Sequence, residues 1–455
     1  MTADFEGSAP AGRVMSSNSA TNPGIFPNGH LGHLNGTQEE ALERFKVVLA
    51  EKGLWKAGPP ASHDDQTLLR YLRARRWIVD DALVQFKDTE EWRAANNIDT
   101  LYQTIELEAY EQSRRLYPQW TGRRDRRGIP LYVFEIRTLD SKTIANYEKQ
   151  GANSTFSQAK TDGKTPPGLL RLFALYENLT RFNQPFCTQL LDREHADVPV
   201  TMSTNIVDIS GVGLKQFWNL KGHMQAASQL ATAHYPETLD RIFIIGAPIF
   251  FSTVWGWVKR WFDPITVSKI FVLAPHEVKP TLEAFIDPKN IPKKYGGELD
   301  YTFGQLGIPD PAWDGVVRWE KGYNSFPSGP LLWEDVPGED RLACVRLGAE
   351  KGKTQREVIC TLPKAFKLAE KTTEEATQPE SVANTATETT ATTTDDVSEG
   401  TQTTEATLDG TTDETTQTDG AAHALEKLNI NSEKTNGTTT AEVTTMPTAT
   451  ATAAA

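Results

Sequence analysis

The sequence predicts an α/β protein in which a small N-terminal helical bundle docks on a mostly parallel, helix-covered sheet and a disordered acidic tail follows. Three observations predict it. Across residues 101–300, strand-length apolar runs alternate with segments of helical period, the pattern of parallel strands joined by crossover helices. Residues 37–100 hold three short amphipathic segments, too small a bundle to bury an adequate core alone. From Lys371 onward Thr, Ala, Glu and Asp dominate and no Phe, Tyr or Trp occurs, so residues 371–455 cannot bury enough apolar surface to order themselves.

Residues 1–36, rich in Ser, Asn, Gly and Pro, are expected to be disordered. Thr37-Gln-Glu-Glu40 fits a capping box and opens a helix with Leu42, Phe45, Val48 and Leu49 on one face, ending near Gly53. A second helix, DDQTLLRYLRARRW, is capped by Asp64 or Asp65 and buries Leu68, Leu69 and Leu72. Its Arg70 and Arg73 read as a solvated face. A third helix starts at Asp80 and carries Leu83, Phe86 and Trp92. LYVFEI (131–136) is a strand following the loop TGRRDRRGIP, and residues 169–182 are helical. TNIVDIS (204–210) is a strand, and a long helix runs from about Gly213 to His234. RIFIIGAP and KIFVLA (269–274) are strands, and residues 276–286 form a helix. Residues 301–370 mix Trp313, Trp319 and Trp333 with Gly and Pro, and ACVRL and EVICTL suggest the short strands of an appended extension.

One stretch departs from ordinary globular texture. Between Arg241 and Ala274 the chain passes from strand pattern into a helix with Ser252 as N-cap, placing Phe251, Val254, Trp255, Val258, Trp261 and Phe262 on one broad face. Asp263-Pro264 ends it. So many large aromatics suit a helix packed over something bulky and apolar, or one touching a membrane interface. Trp257, beside Lys259 and Arg260, suits anchoring at an anionic surface. A plain core helix is the simpler alternative.

Net charge is -13, but residues 371–455 hold 15 acidic and 3 basic side chains, leaving 45 acidic against 44 basic elsewhere. A nearly neutral body disfavours a nucleic-acid binder. Three cysteines, Cys187, Cys344 and Cys360, are too few and scattered for a disulfide framework or zinc site, and the eight histidines are dispersed. No apolar run approaches the ~20 residues of a spanning helix. No nucleophile elbow, P-loop or H-E-x-x-H stands in the chain, and no activated group with an orienting partner can be named. The expectation is a cytoplasmic, non-enzymatic monomer without metal or cofactor.

LLRYLRARRW, YPETLDRIFIIGAP, FDPITVSKIF and IPKKYGGEL, in that order over roughly residues 38–300, resemble the CRAL-TRIO lipid-transfer family. The resemblance implies an apolar pocket floored by the sheet and closed by a gate helix, here residues 252–262. Two acyl chains hold roughly 30 methylenes, and at ~0.8 kcal/mol each their exposure to water would cost more than about 20 kcal/mol, so a carrier needs such a cavity and a door. Matching headgroup positions for phosphatidylinositol are Arg75, Arg76, Glu237, Thr266 and Lys269, whose cations suit a phosphodiester and whose Glu and Thr suit inositol hydroxyls. The second-lipid, choline-binding set is matched by Tyr132, Tyr176 and Ser203, but Thr121 stands where a tyrosine is expected and Asn205 replaces a threonine. An incomplete aromatic cage implies weak phosphatidylcholine binding or another apolar ligand. The implied activity is phosphatidylinositol transfer supporting phosphoinositide signalling and vesicle traffic. Its partners are phospholipid membranes, visited transiently at the Golgi, endosomes or plasma membrane, and lipid kinases. The alternative is a lipid or sterol sensor or scaffold without bulk transfer.

Overall fold

A computed structural model of the chain describes residues 26–251, 255–256, 259–261 and 267–367, apart from the side chain of Trp261. The expectations for Val254, Trp257, Val258, Phe262, Thr266, the Trp261 side chain and the 371–455 tail lie outside the described residues.

Ordered structure starts earlier than expected. Residues 26–35 form a turn-rich strap whose Phe26 is buried among Ile129, Cys187, Val198, Val200 and Met202. The first capping box is Asn35 with Gln38 rather than the Thr37–Glu40 pair. The Asn35 side chain accepts from the Gln38 N–H while Gln38 Oε1 accepts from the Asn35 N–H, so two orphan donors are satisfied before Thr37 is reached. Helices α1 (Gly36–Glu51), α2 (Asp65–Ala74) and α3 (Val79–Ala95) share one core, in which Phe45, Leu49, Leu68, Leu69, Leu72 and Phe86 interlock. Two more helices, α4 (Ile98–Thr104) and α5 (Leu107–Leu116), were not legible, because the left-handed Asn97 (φ 45) breaks the helical period between them and α3.

The central sheet has the order β1 (Gln119–Arg124), β2 (Pro130–Glu135), β3 (Ser203–Asp208), β4 (Leu239–Ile245) and β5 (Ile270–Val272). Every pair is parallel except the antiparallel β1–β2 hairpin, whose first strand had been read as loop. Helices α6 (Ser141–Gln150), α7 (Pro167–Asn178), α8 (Gln184–Thr188) and α9 (Leu214–His234) connect these strands, and a π-helical turn, Leu179–Asn183, joins α7 to α8. Helix α10 (Pro275–Phe285) closes one face of the sheet: Leu131, Val133, Ile206, Phe243 and Ile245 pack there with Leu282, Ile286 and Ile291.

Residues 298–367 add an antiparallel sheet, ordered β6 (Arg318–Trp319), β11 (Glu357–Pro363), β8 (Arg341–Arg346) and β7 (Leu331–Asp335), with a small ribbon of β9 (Ala349–Glu350) and β10 (Lys353–Thr354). It docks on the π-turn and α8. Phe186 stacks on Trp313 with ring centroids 3.6 Å apart and on Trp333 at 5.5 Å. Tyr102 covers the free edge of β7: its hydroxyl donates to the Leu331 carbonyl (2.6 Å) and accepts from the Leu331 N–H (3.1 Å).

Candidate functional site: an apolar sheet face beside a cationic edge

The sheet face opposite α10 is apolar but incompletely covered. Register sets its rows: Tyr132, Asn205, Ile242 and Ile270 lie side by side, as do Phe134, Val207, Ile244 and Val272. Val207, Ile242 and Ile270 remain half-buried and Val272 is exposed. Above them runs α9, in which Leu220 is the one fully buried side chain while Met224, Ala227, Leu230 and Ala231 are half-buried. A 21-residue helix with this profile is not packed into a closed core among the described residues. The described part of the aromatic stretch faces inward onto the same floor. Phe251 is buried and Trp255 half-buried; their rings lie 5.9 Å apart, in one cluster with Val207, Ile242, Ile244 and Ile270. Lys259 and Arg260 are exposed, as expected for residues off that face.

At the amino ends of β4 and β5 the floor meets a cationic cluster. Lys269, immediately before β5, donates through Nζ to Glu237 Oε2 (2.9 Å) and to the Leu239 carbonyl (2.8 Å), leaving one of its three ammonium donors uncommitted among the described residues. Glu237 holds this position from a left-handed conformation, φ 57. Helix α2 contributes Arg73. Its Nη1 donates to the Gly29 carbonyl of the strap (3.1 Å), while Nε and Nη2 are buried without partners among the described residues. Burial pulls the Arg73 pKa down to about 10, against the pull of nearby Glu237 and with help from Arg70. Arg70 is buried too, with Nη1 unpartnered. Facing them, His30 is held well below its usual pKa by burial and then by Arg73, Lys269 and Arg127. Arg127 is neutralised by Asp125 and Asp240.

Sequence reasoning had placed Arg70 and Arg73 on a solvated face, and this is corrected. Helix α2 lies between α1, α3 and the strap, which buries Leu68 through Leu72 with Arg70 among them, while Arg73 is half-buried with its Nε and Nη2 atoms covered. The available signal was that Arg70 and Arg73 interrupt an unbroken apolar run. Glu237 and Lys269 are brought into contact, whereas Arg75 and Arg76 are exposed at the end of α2, Arg76 with φ 52, and form no ion pair among the described residues.

The chain matches the CRAL/TRIO domain over residues 114–297 and the CRAL/TRIO N-terminal domain over residues 31–88. It is 30% identical over 280 residues to the SEC14 cytosolic factor of Eremothecium gossypii, covering 62% of this chain and 82% of that protein. The chain belongs to the CRAL-TRIO family. It is also 30% identical over 272 residues to the phosphatidylinositol/phosphatidylcholine transfer protein SFH7 of Arabidopsis thaliana, spanning 58% of this chain and 44% of that longer one. A solved structure described as "Crystal structure of Sfh5" aligns with TM-score 0.42 at 13% identity, covering 61% of this chain and 92% of that one. The family models stop at residue 297, so the 298–367 sheet is an addition to the CRAL-TRIO body.

Of the second-lipid positions, Tyr132, Asn205 and Ser203 are neighbours on one sheet face and Tyr176 lies close to Tyr132, whereas Thr121 does not join them. Asn205 Nδ2 donates to Ser203 Oγ (3.0 Å), and Ser203 Oγ donates to the Thr238 carbonyl (3.1 Å). The Tyr132 hydroxyl is committed to Asn183 Oδ1 (2.9 Å), and Tyr176 packs against Phe173 and Tyr235. Thr121 is buried and donates to the Leu131 carbonyl (3.0 Å), and strand alternation turns it to the face away from Tyr132. Trp120 does share the Tyr132 face, but its ring is held edge-on by Phe182 and Phe186 and its Nε1 donates to the Arg123 carbonyl. Trp120 and Tyr132 instead line a crevice with Tyr110, Asn178 and Asn183 beneath the added sheet.

The histidines are less scattered than their spacing suggests. His33, His195 and Asp197 each bring a potential metal-ligating atom to within 4.8 Å of the others.

Proposed function

We propose that this CRAL-TRIO chain is a phosphatidylinositol transfer protein. It lifts the lipid from one membrane, shelters the acyl chains over the half-covered floor of Val207, Ile242, Ile244 and Ile270, and delivers or presents it at another. The observation that carries this reading is Arg73, a buried guanidinium with two unpartnered nitrogens beside the Lys269–Glu237 pair, at the edge of an apolar floor. A phosphodiester supplies the negative charge those nitrogens lack, and Glu237 can accept from inositol hydroxyls. Arg75, Arg76 and Thr266 are proposed to extend the headgroup site toward the surface. Phe251, Val254, Trp255, Trp257, Val258, Trp261 and Phe262 are proposed to gate the acyl chains or meet the bilayer. Delivery would support phosphoinositide signalling and vesicle traffic through lipid kinases at Golgi, endosomal or plasma membranes.

Phosphatidylcholine is proposed to bind weakly. Tyr132 is committed to Asn183, Trp120 is locked among phenylalanines, and Thr121 offers no aromatic wall, so a choline cage lacks its sides. Mass spectrometry of lipid bound to the purified protein, with vesicle transfer assays for each lipid, tests both statements. Phosphatidylinositol should be bound and moved. Its absence from both readouts overturns the function, and efficient phosphatidylcholine transfer overturns the second statement alone.

A further inference from the structure

The strap before α1 meets the loop between α8 and β3 at a group of side chains that the lipid reading does not use. His33 Nε2 lies 2.8 Å from Asp197 Oδ2, across 164 positions of sequence. The His33 and His195 rings stand nearly perpendicular, at 77°, with centroids 5.8 Å apart. One nitrogen of each ring and one Asp197 oxygen all fall within 4.8 Å of one another. Ligand atoms on a tetrahedral cation at about 2.0–2.1 Å are about 3.4 Å apart, so side-chain rotation alone can bring the three onto one ion.

From this geometry we propose that His33, His195 and Asp197 bind one divalent transition cation of the zinc type, with water completing the tetrahedron. Two imidazoles and one carboxylate are the donor set such ions prefer, whereas calcium and magnesium favour sites built of oxygen alone. The group is accessible, since the His33 side chain is 31% exposed and that of Asp197 63%. Its backbone is also fixed. Arg193 donates through Nη1 to the His195 carbonyl (2.6 Å) and through Nη2 to the Val198 carbonyl (2.8 Å), bracketing Asp197 from both sides. Phe26 packs edge-on against the His195 ring at 5.8 Å and against His30 at 5.1 Å, which limits how the ring can turn. Three of the eight histidines thus fall into two short patterns, H-L-G-H at 30–33 and H-A-D at 195–197, joined only by the fold.

A bound cation would cross-link the strap to the body four residues from Gly29, the carbonyl that anchors Arg73. It acts as a clamp, and no reaction is assigned to it. The simpler account of the same residues is an ion pair, His33 with Asp197, that tethers the strap without metal. His195 separates the two, because it belongs to the metal set and not to the ion pair.

The test uses the full chain without an affinity tag, stripped with chelator and desalted, then titrated with zinc chloride by calorimetry and with cobalt chloride by visible absorption. The expected result is one equivalent bound, cobalt bands of tetrahedral intensity, and an unfolding temperature raised by zinc and returned by chelator. His195→Ala and Asp197→Ala should each weaken binding more than about 100-fold, since losing even an outer-shell partner of a metal site costs roughly 10–100-fold. His276→Ala serves as a control outside the group and should leave it unchanged. His195→Ala loses the ring contact with Phe26, so its readout is the zinc-induced rise in unfolding temperature over its own chelator-treated baseline, which should vanish. Zinc binding that survives His195→Ala, cobalt spectra of octahedral weakness, or no saturable binding would each overturn the proposal and leave the ion-pair tether.

Discussion

Replacing Arg73 with methionine should make the ligand-free protein more stable and the lipid-loaded protein less so. A guanidinium whose pKa burial pulls down to about 10 has its charged form destabilised by about 3 kcal/mol. That penalty is present at neutral pH, where arginine is charged in both folded and unfolded chains. Methionine removes it and keeps much of the stem's packing, at the loss of about 1 kcal/mol with the Gly29 hydrogen bond. The net expected gain is about 2 kcal/mol without ligand. Phosphatidylinositol at a hundredfold excess over its dissociation constant adds about 2.7 kcal/mol to the parent. The variant, lacking the two donors that await a phosphate, should gain little. Denaturant unfolding of delipidated protein with and without phosphatidylinositol vesicles reads both arms, and the order of the two midpoints should reverse when lipid is added. A variant that is less stable without lipid and responds to lipid as the parent does would refute the assignment of Arg73 as an anion-seeking group.

Other outcomes follow from the same structure. Lys269→Ala and Glu237→Lys should each reduce phosphatidylinositol transfer at least about tenfold, the loss expected for one charged contact of about 1.5–3 kcal/mol; full transfer with either would exclude the cluster. Acid should destabilise the fold in two windows. His234, stacked on Trp92, has its pKa lowered to about 4 by burial and then by Arg93, so the unfolded chain binds its proton first and stability falls as pH drops from 6.5 toward 4. Burial opposes the charge of Glu177, but Arg93 and Arg181 outweigh it and hold the carboxyl near about 2, so its contribution of about 3 kcal/mol is lost as pH falls from about 4.5 toward 2. Unfolding midpoints measured from pH 7 to 3 should show the first window shrink in His234→Gln, with His30 and His223, whose pKa values burial also lowers, supplying the rest. Gly122→Ala should cost at least about 3 kcal/mol, because φ is +86 and the added Cβ would lie 2.3 Å from the Ile308 backbone; an unchanged melting temperature would contradict that.

The legible parts of this protein were those with strong local periodicity. β2, β3 and α9 were predicted to within a residue or two and β4 to within three, because their apolar runs and the length of α9 give strong local signals. β1 was missed because QWTGRR looks like a turn-rich loop, and only its hydrogen bonds to β2 make it a strand. α4 and α5 were missed where Asn97 resets the period. Within the candidate site, Glu237 and Lys269 were named from motifs and do meet. Arg73 was misplaced because one helix viewed alone cannot reveal that the strap and a neighbouring loop cover its polar side. The His33–His195–Asp197 group was invisible for the same reason: it joins two short patterns that only tertiary folding brings together.

The added sheet of residues 298–367 changes what counts as the smallest folding piece of this chain. Phe182 and Phe186, 2% and 0% exposed, owe that burial to Trp313, Phe326 and Trp333. A truncation at residue 297, where the family match ends, would uncover the sides of both rings that face the added sheet, at up to about 1.5–3 kcal/mol each, and remove the Leu331 partner of Tyr102. Such a fragment would present a sticky aromatic patch and self-associate. Recombinant work on the lipid-binding body should therefore retain everything through Lys367.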